Sequence, residues 1–157
     1  MMHDARSHGS GGHGSHAGRP ATTTVAAAGA TKPRVLVVDD EPAIRRALEL
    51  ALTRDGCEVI VAAGGADAQS VLAAERVDVM LVDLRIPDMR GDVIYHLAAA
   101  LQPHLAAATV FLTGDVTERA DSLIAACHCP FIRKPFELGE VIRAIRAMAP
   151  RARSASA

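Results

Sequence analysis

From Arg34 onward the chain alternates short apolar runs with longer stretches whose apolar residues recur at helical spacing. The runs are 35–38 (Val-Leu-Val-Val), 59–62 (Val-Ile-Val-Ala), 79–82 (Val-Met-Leu-Val), 109–112 (Thr-Val-Phe-Leu) and 131–132 (Phe-Ile). Most lack the every-other-residue polarity of a strand with one wet face, which predicts parallel strands covered by helices on both sides. After the first run, Ile44, Ala47, Leu48, Ala51 and Leu52 share one helical face, with Pro42 suited to the first turn and Gly56 to a left-handed stop. Leu138, Val141, Ile142, Ile145 and Met148 mark a last helix ending at Pro150. Three further helices are expected around 66–74, 92–101 and 117–126, where abundant alanine blurs the period. Strand followed by helix, repeated along the chain, predicts an α/β fold with a five-stranded, largely parallel sheet and five helices.

The flanks read differently. Residues 1–33 set His3, His8, His13 and His16 among Gly and Ser, followed by a Thr/Ala stretch, with too little apolar area to repay ordering. A disordered tail is expected there, since closing a metal site on so flexible a chain carries a high entropic cost. Residues 150–157 form a short C-terminal tail, which leaves one domain at 34–149 with a single core.

That domain carries 17 acidic and 12 basic side chains, and the flanks are basic, so the formal net charge of -1 hides a split. A slightly acidic domain argues against direct nucleic-acid binding. No run approaches a membrane span, and nothing at the N-terminus resembles a secretion signal. Cys57, Cys127 and Cys129 are odd in number and lack paired spacing, which favours a reducing, cytoplasmic setting. Fifteen arginines against two lysines, with abundant alanine, point to a GC-rich bacterial genome.

In an open parallel sheet, ligands bind outside the carboxyl ends of the strands. Asp39 and Asp40 close the first run, Asp83 the third and Thr113 the fourth, and Lys134 follows the fifth. Each alone is as easily a turn former or a helix cap, Asp40 before Glu41-Pro42 above all. Together they bring three carboxylates, a hydroxyl and an ammonium to one edge. Like charges roughly 4 to 5 Å apart repel by several kcal/mol at intermediate dielectric, and a divalent cation cancels the excess. Oxygen donors select a hard ion, and Mg²⁺ fits better than zinc. Beside such an ion Asp83 is a candidate nucleophile toward phosphorus, with Lys134 and Thr113 placed to contact the transferring oxygens.

The set 35–40 followed by Glu41-Pro42, then Asp83, Thr113 and Lys134-Pro135-Phe136, resembles the receiver domain of two-component response regulators. The likeness includes Pro87, Met89 and Gly91 in the segment Asp83-Leu-Arg-Ile-Pro-Asp-Met-Arg-Gly91. It implies a flavodoxin-like, doubly wound sheet of order 2-1-3-4-5. It also implies that Asp83 is the phosphoacceptor and that Mg²⁺ is held by Asp39, Asp40, Asp83 and the backbone carbonyl of Arg85. Thr113 would be the switch hydroxyl, Phe131 either the aromatic that changes rotamer or a core aromatic of the fifth strand, and the Lys134–Pro135 peptide cis. Arg85 and Asp115 would influence the lifetime of the phosphoryl group. The implied partners are a histidine kinase or His phosphotransfer protein, and a downstream protein that reads the face between Asp115 and Met148.

On this reading the chain is a signalling receiver rather than an enzyme, stand-alone because only a short tail follows the last helix, or else a fragment of a hybrid sensor kinase. A Mg²⁺-dependent small-molecule phosphatase would use the same nucleophile, but Leu84 and Arg85 follow Asp83 where a second acid would be needed. A nucleotide-binding domain is disfavoured by Asp39-Asp40-Glu41, which would repel a pyrophosphate after the first strand.

Overall fold

In the computed structural model, five strands alternate with five α-helices. They run β1 (Arg34–Val38), α1 (Pro42–Arg54), β2 (Glu58–Ala62), α2 (Gly65–Ala74), β3 (Val79–Asp83), α3 (Gly91–Leu101), β4 (Thr109–Thr113), α4 (Glu118–Cys127), β5 (Phe131–Arg133) and α5 (Leu138–Met148). The structure describes residues 31–114 and 118–149; residues 1–30 and 150–157 of the expected tails, Asp115 and the start of the fourth helix at Thr117 lie outside them.

All strand pairings are parallel and the order is β2-β1-β3-β4-β5, as the resemblance implies. Every apolar run is a strand, and each strand takes in a polar residue at one end: Arg34, Glu58, Asp83, Thr113 or Arg133. Apolar side chains mark only the stretch sandwiched between helices, whereas the hydrogen-bonded ladder continues past it.

Alternate strand residues supply two cores. Leu36, Val38, Met80, Val82 and Phe111 pack with Leu72, Ile94 and Ala98 of α2 and α3. Val35, Val37, Val79, Leu81, Val110 and Leu112 pack with Leu48 and Leu52 of α1 and with Val141 and Ile145 of α5. Full burial on both faces holds for β3 and β4 and nearly for β1. It fails at the edges, where β2 leaves Val61 exposed and β5 leaves Phe131 exposed.

Helix α1 begins at Pro42 and closes in a Schellman arrangement. Gly56 adopts φ +93°, its N–H donates to the Thr53 carbonyl at 3.1 Å, and the Cys57 N–H donates to the Leu52 carbonyl at 3.0 Å. The sequence pattern did not predict the short 3-10 turn at Pro103–Ala107, which leads into β4.

Candidate functional site

The carboxyl ends of the central strands carry matched turns. At the end of β1, Asp39 Oδ1 accepts the Glu41 N–H at 2.9 Å, and at the end of β3, Asp83 Oδ1 accepts the Arg85 N–H at 2.9 Å. These are Asx turns: a short carboxylate satisfies the backbone two residues on and bends the chain out of the strand. Strands β1 and β3 are neighbours, so the two carboxylates stand side by side.

Lys134 joins them from beyond β5. Its Nζ lies 2.8 Å from Asp39 Oδ2 and 2.7 Å from Asp83 Oδ2, with Glu41 Oε1 at 3.5 Å. Its own backbone N–H donates to the Thr113 carbonyl at 2.8 Å, which fixes the stem against the end of β4. The Lys134–Pro135 peptide is cis, as the resemblance implies.

One ammonium thus faces two buried carboxylates and a third at the rim. Asp39 is fully buried, Asp83 nearly so, and Glu41 is exposed. Carboxylate oxygens of Asp39, Glu41 and Asp83 lie within 4.8 Å of one another. At that spacing two like charges repel by about 3 kcal/mol at an effective dielectric of 20. Burial pushes the Asp83 carboxyl above its ordinary range, against the pull of the Lys134 ammonium and the Arg85 N–H, with Asp39 adding to the rise. Burial alone would weaken the Lys134 ammonium, but its hydrogen bonds to Asp39 and Asp83 raise its pKa above the usual lysine value.

This donor set is all oxygen, anionic in excess and open at one side, which suits a hard divalent cation such as Mg²⁺. Asp39, Asp83, Thr113 and Lys134 all fall at one edge of the sheet. Asp40 is exposed and outside the group of converging oxygens; the carboxylate that joins Asp39 and Asp83 there is Glu41. Arg85 contributes its N–H to Asp83, and its side chain is exposed. Phe131 is 41% exposed, with the Arg133 guanidinium 6.0 Å from its ring centre.

Of two supporting residues, Arg45 escaped sequence reasoning and Gly91 entered it only as part of the family likeness. Arg45, one turn into α1, donates to the Asp39 carbonyl at 2.7 Å. Gly91 sits so close beneath Asp83 that a Cβ there would lie 2.4 Å from the Asp83 carbonyl oxygen. The only sequence signal for either was the position of Gly91 in the segment after Asp83.

The family model of the response regulator receiver domain matches residues 35–146. The transcriptional regulatory protein KdpE of Mycobacterium tuberculosis is 38% identical over 116 residues, 72% of this chain and 49% of that protein. The probable transcriptional regulatory protein TcrX of the same organism is 32% identical over 114 residues, 73% of this chain and 48% of that one. The chain therefore spans about half the length of the curated relatives it matches. Among solved structures, a CheY-like receiver domain protein from Methanospirillum hungatei superposes with a TM-score of 0.69 at 24% identity, over 74% of this chain and 93% of that one. The chemotaxis response regulator CheY4 of Vibrio cholerae gives 0.66 at 26% identity, over 75% and 99%. With the family pattern matched across all five strands and its acidic and basic side chains gathered at one edge of the sheet, the chain belongs to the receiver domains of two-component response regulators.

Proposed function

We propose that Asp83 is the phosphoacceptor of a phosphorelay, and that its phosphorylation changes a partner-binding face of a receiver spanning 34–149. The observation that carries this reading is the setting of Asp83: nearly buried, with one oxygen on the Lys134 ammonium and the other on the Arg85 N–H, beside Asp39 and Glu41.

The donor is a phosphohistidine of a histidine kinase or His phosphotransfer protein. An Asp83 oxygen forms the new O–P bond as the P–N bond to the donor imidazole breaks, and the imidazole leaves with the bonding pair and is protonated by solvent. Asp39, Asp40, Asp83 and the Arg85 carbonyl would hold Mg²⁺, with Glu41 at the rim; the bound ion supplies charge neutralisation between carboxylates and phosphoryl oxygens. Lys134 exchanges its bond to Asp83 for one to a phosphoryl oxygen, remaining an ammonium throughout. The chain catalyses only its own phosphorylation and dephosphorylation, and Arg85 and Asp115 tune the lifetime.

Phosphorylation adds roughly one negative charge and new acceptor oxygens beside Thr113. Thr113 moves toward them, and the exposed ring of Phe131 turns into the space behind β4. Burying an aromatic ring is worth about 1.5 to 3 kcal/mol, enough to bias a two-state surface. A cytoplasmic protein partner then reads the face between Asp115 and Met148, without direct nucleic-acid contact. Incubation with a small phosphodonor and Mg²⁺, followed by intact-mass measurement, should show one phosphoryl adduct in the wild type and none in Asp83→Asn; a full adduct in the variant would place the chemistry elsewhere.

A further inference from the structure

Asp88 lies in the middle of residues 84–90, the segment joining β3 to α3, and is itself exposed. Both of its carboxylate oxygens are nonetheless engaged. Oδ1 accepts the Gly65 N–H at 2.9 Å and Oδ2 accepts the Ala66 N–H at 3.1 Å. These are the first two residues of α2, whose own N-cap residue, Gly64, offers no side-chain cap. The two N–H groups hold the Asp88 carboxyl below the ordinary carboxylate range. The contact is also sterically closed: a Cβ on Gly64 would come 2.7 Å from Asp88 Oδ1, and one on Gly65 would come 2.3 Å from Met89 Cβ.

The same segment is tied to Asp83 at both ends. Its start donates the Arg85 N–H to Asp83 Oδ1, and immediately beyond its end Gly91 packs against the Asp83 carbonyl. Asp88 adds a third anchor on a different helix.

We propose that Asp88 is a positioning residue for the phosphorylation centre: by clamping residues 84–90 to the first turn of α2, it presents Arg85 and Asp83 in the conformation that takes up Mg²⁺. The inference rests on the reading of Asp83 given above. A loop released from one anchor spends part of its time in other conformations, and the apparent affinity of its ligand falls by the fraction of time it is competent. Asp88 touches no reacting atom, so its loss acts on metal uptake and not on the step that follows.

The test uses the full chain and two readouts, Mg²⁺ binding by titration calorimetry and the rate of phosphorylation by acetyl phosphate across Mg²⁺ concentrations. Asp88→Ala should raise both the Mg²⁺ dissociation constant and the half-saturating Mg²⁺ about threefold to tenfold, the equivalent of one ordinary hydrogen bond. The rate at saturating Mg²⁺ should stay near the wild-type value. Asp88→Asn, which keeps one acceptor oxygen, should fall in between, and amide exchange at Arg85 should quicken in both variants. Gln69→Gly, an exposed change within α2, should lower the melting temperature without moving the Mg²⁺ affinity. Unchanged Mg²⁺ affinity in Asp88→Ala, or an equal shift in Gln69→Gly, would reduce Asp88 to a helix cap and overturn the proposal. Calorimetry needs no phosphodonor, so failure of the Asp83 reading, seen as an adduct that survives Asp83→Asn, is scored separately.

Discussion

Lys134 Nζ lies 2.7 Å from Asp83 Oδ2 although 51 residues separate the two in the chain, and the same nitrogen reaches Asp39 at 2.8 Å. A single ammonium therefore offsets the repulsion between two carboxylates that the sheet forces together.

Removing it should be expensive. Lys134→Ala leaves Asp39 and Asp83 facing each other with little solvent to separate them. The expected loss is about 3 kcal/mol, at the low end for breaking a buried pair because the mouth of the site is open. Urea unfolding at neutral pH without Mg²⁺ measures it, and a loss well under 1 kcal/mol would mean that solvent already screens the pair.

The raised pKa of Asp83 fixes the sign of a second effect. A folded-state pKa above the unfolded one means that the folded protein binds the proton more tightly, so ionised Asp83 lowers stability at neutral pH. That deficit is relieved as pH falls from above the folded value toward the ordinary aspartate range. Metal-free Asp83→Asn should accordingly melt higher than wild type at pH 7, with the gap closing on acidification. Mg²⁺ should narrow or invert the gap, because only the wild type keeps the full ligand. Melting curves across pH, with and without Mg²⁺, test both statements.

Thr113→Ala should still accept phosphoryl at Asp83 but transmit it poorly. In the wild type loaded with beryllofluoride, resonances of Phe131 and of α4 should shift together. Equal shifts in the variant would rule out Thr113 as the coupling element.

At Gly91 any side chain collides with backbone at the end of β3 and just beyond it, since Leu84 Cα as well as the Asp83 carbonyl stands in the way. Gly91→Ala should cost about 2 to 3 kcal/mol, as overpacking against backbone does, and should displace Asp83. Denaturation gives the first quantity, and phosphorylation at saturating Mg²⁺ reports the second.

His128 adopts φ +55° just past α4, a conformation glycine takes with least strain. His128→Gly should raise stability by up to about 1 kcal/mol, whereas Gly56→Ala, at φ +93° with open space around it, should lower it by about 1 to 2 kcal/mol. Paired denaturation curves distinguish the two signs.

Asp39, Asp83, Thr113 and Lys134 were legible in the sequence because each ends or follows an apolar run, and parallel topology sends all such ends to one edge. The sheet order came from the family likeness. Glu41 was hidden as a partner of Lys134, because its approach depends on the turn that Asp39 Oδ1 makes with the Glu41 N–H. Asp88 was hidden for a similar reason: its contact spans 23 residues and is set by loop path, which no periodicity records. At the sheet margins, Val61 and Phe131 read as core residues by type, yet an edge strand has a neighbour on one side only.

The distance along the chain between Asp83 and its ammonium matters during synthesis as well. Asp83 leaves the ribosome 51 residues ahead of Lys134, and Thr113 also follows it. A growing chain therefore carries the aspartate long before it carries the lysine and hydroxyl that complete the centre. Until the fifth strand has been made and has docked beside the fourth, the aspartate lacks the ammonium that faces it in the finished fold, and on the reading proposed above it should not yet take up phosphoryl.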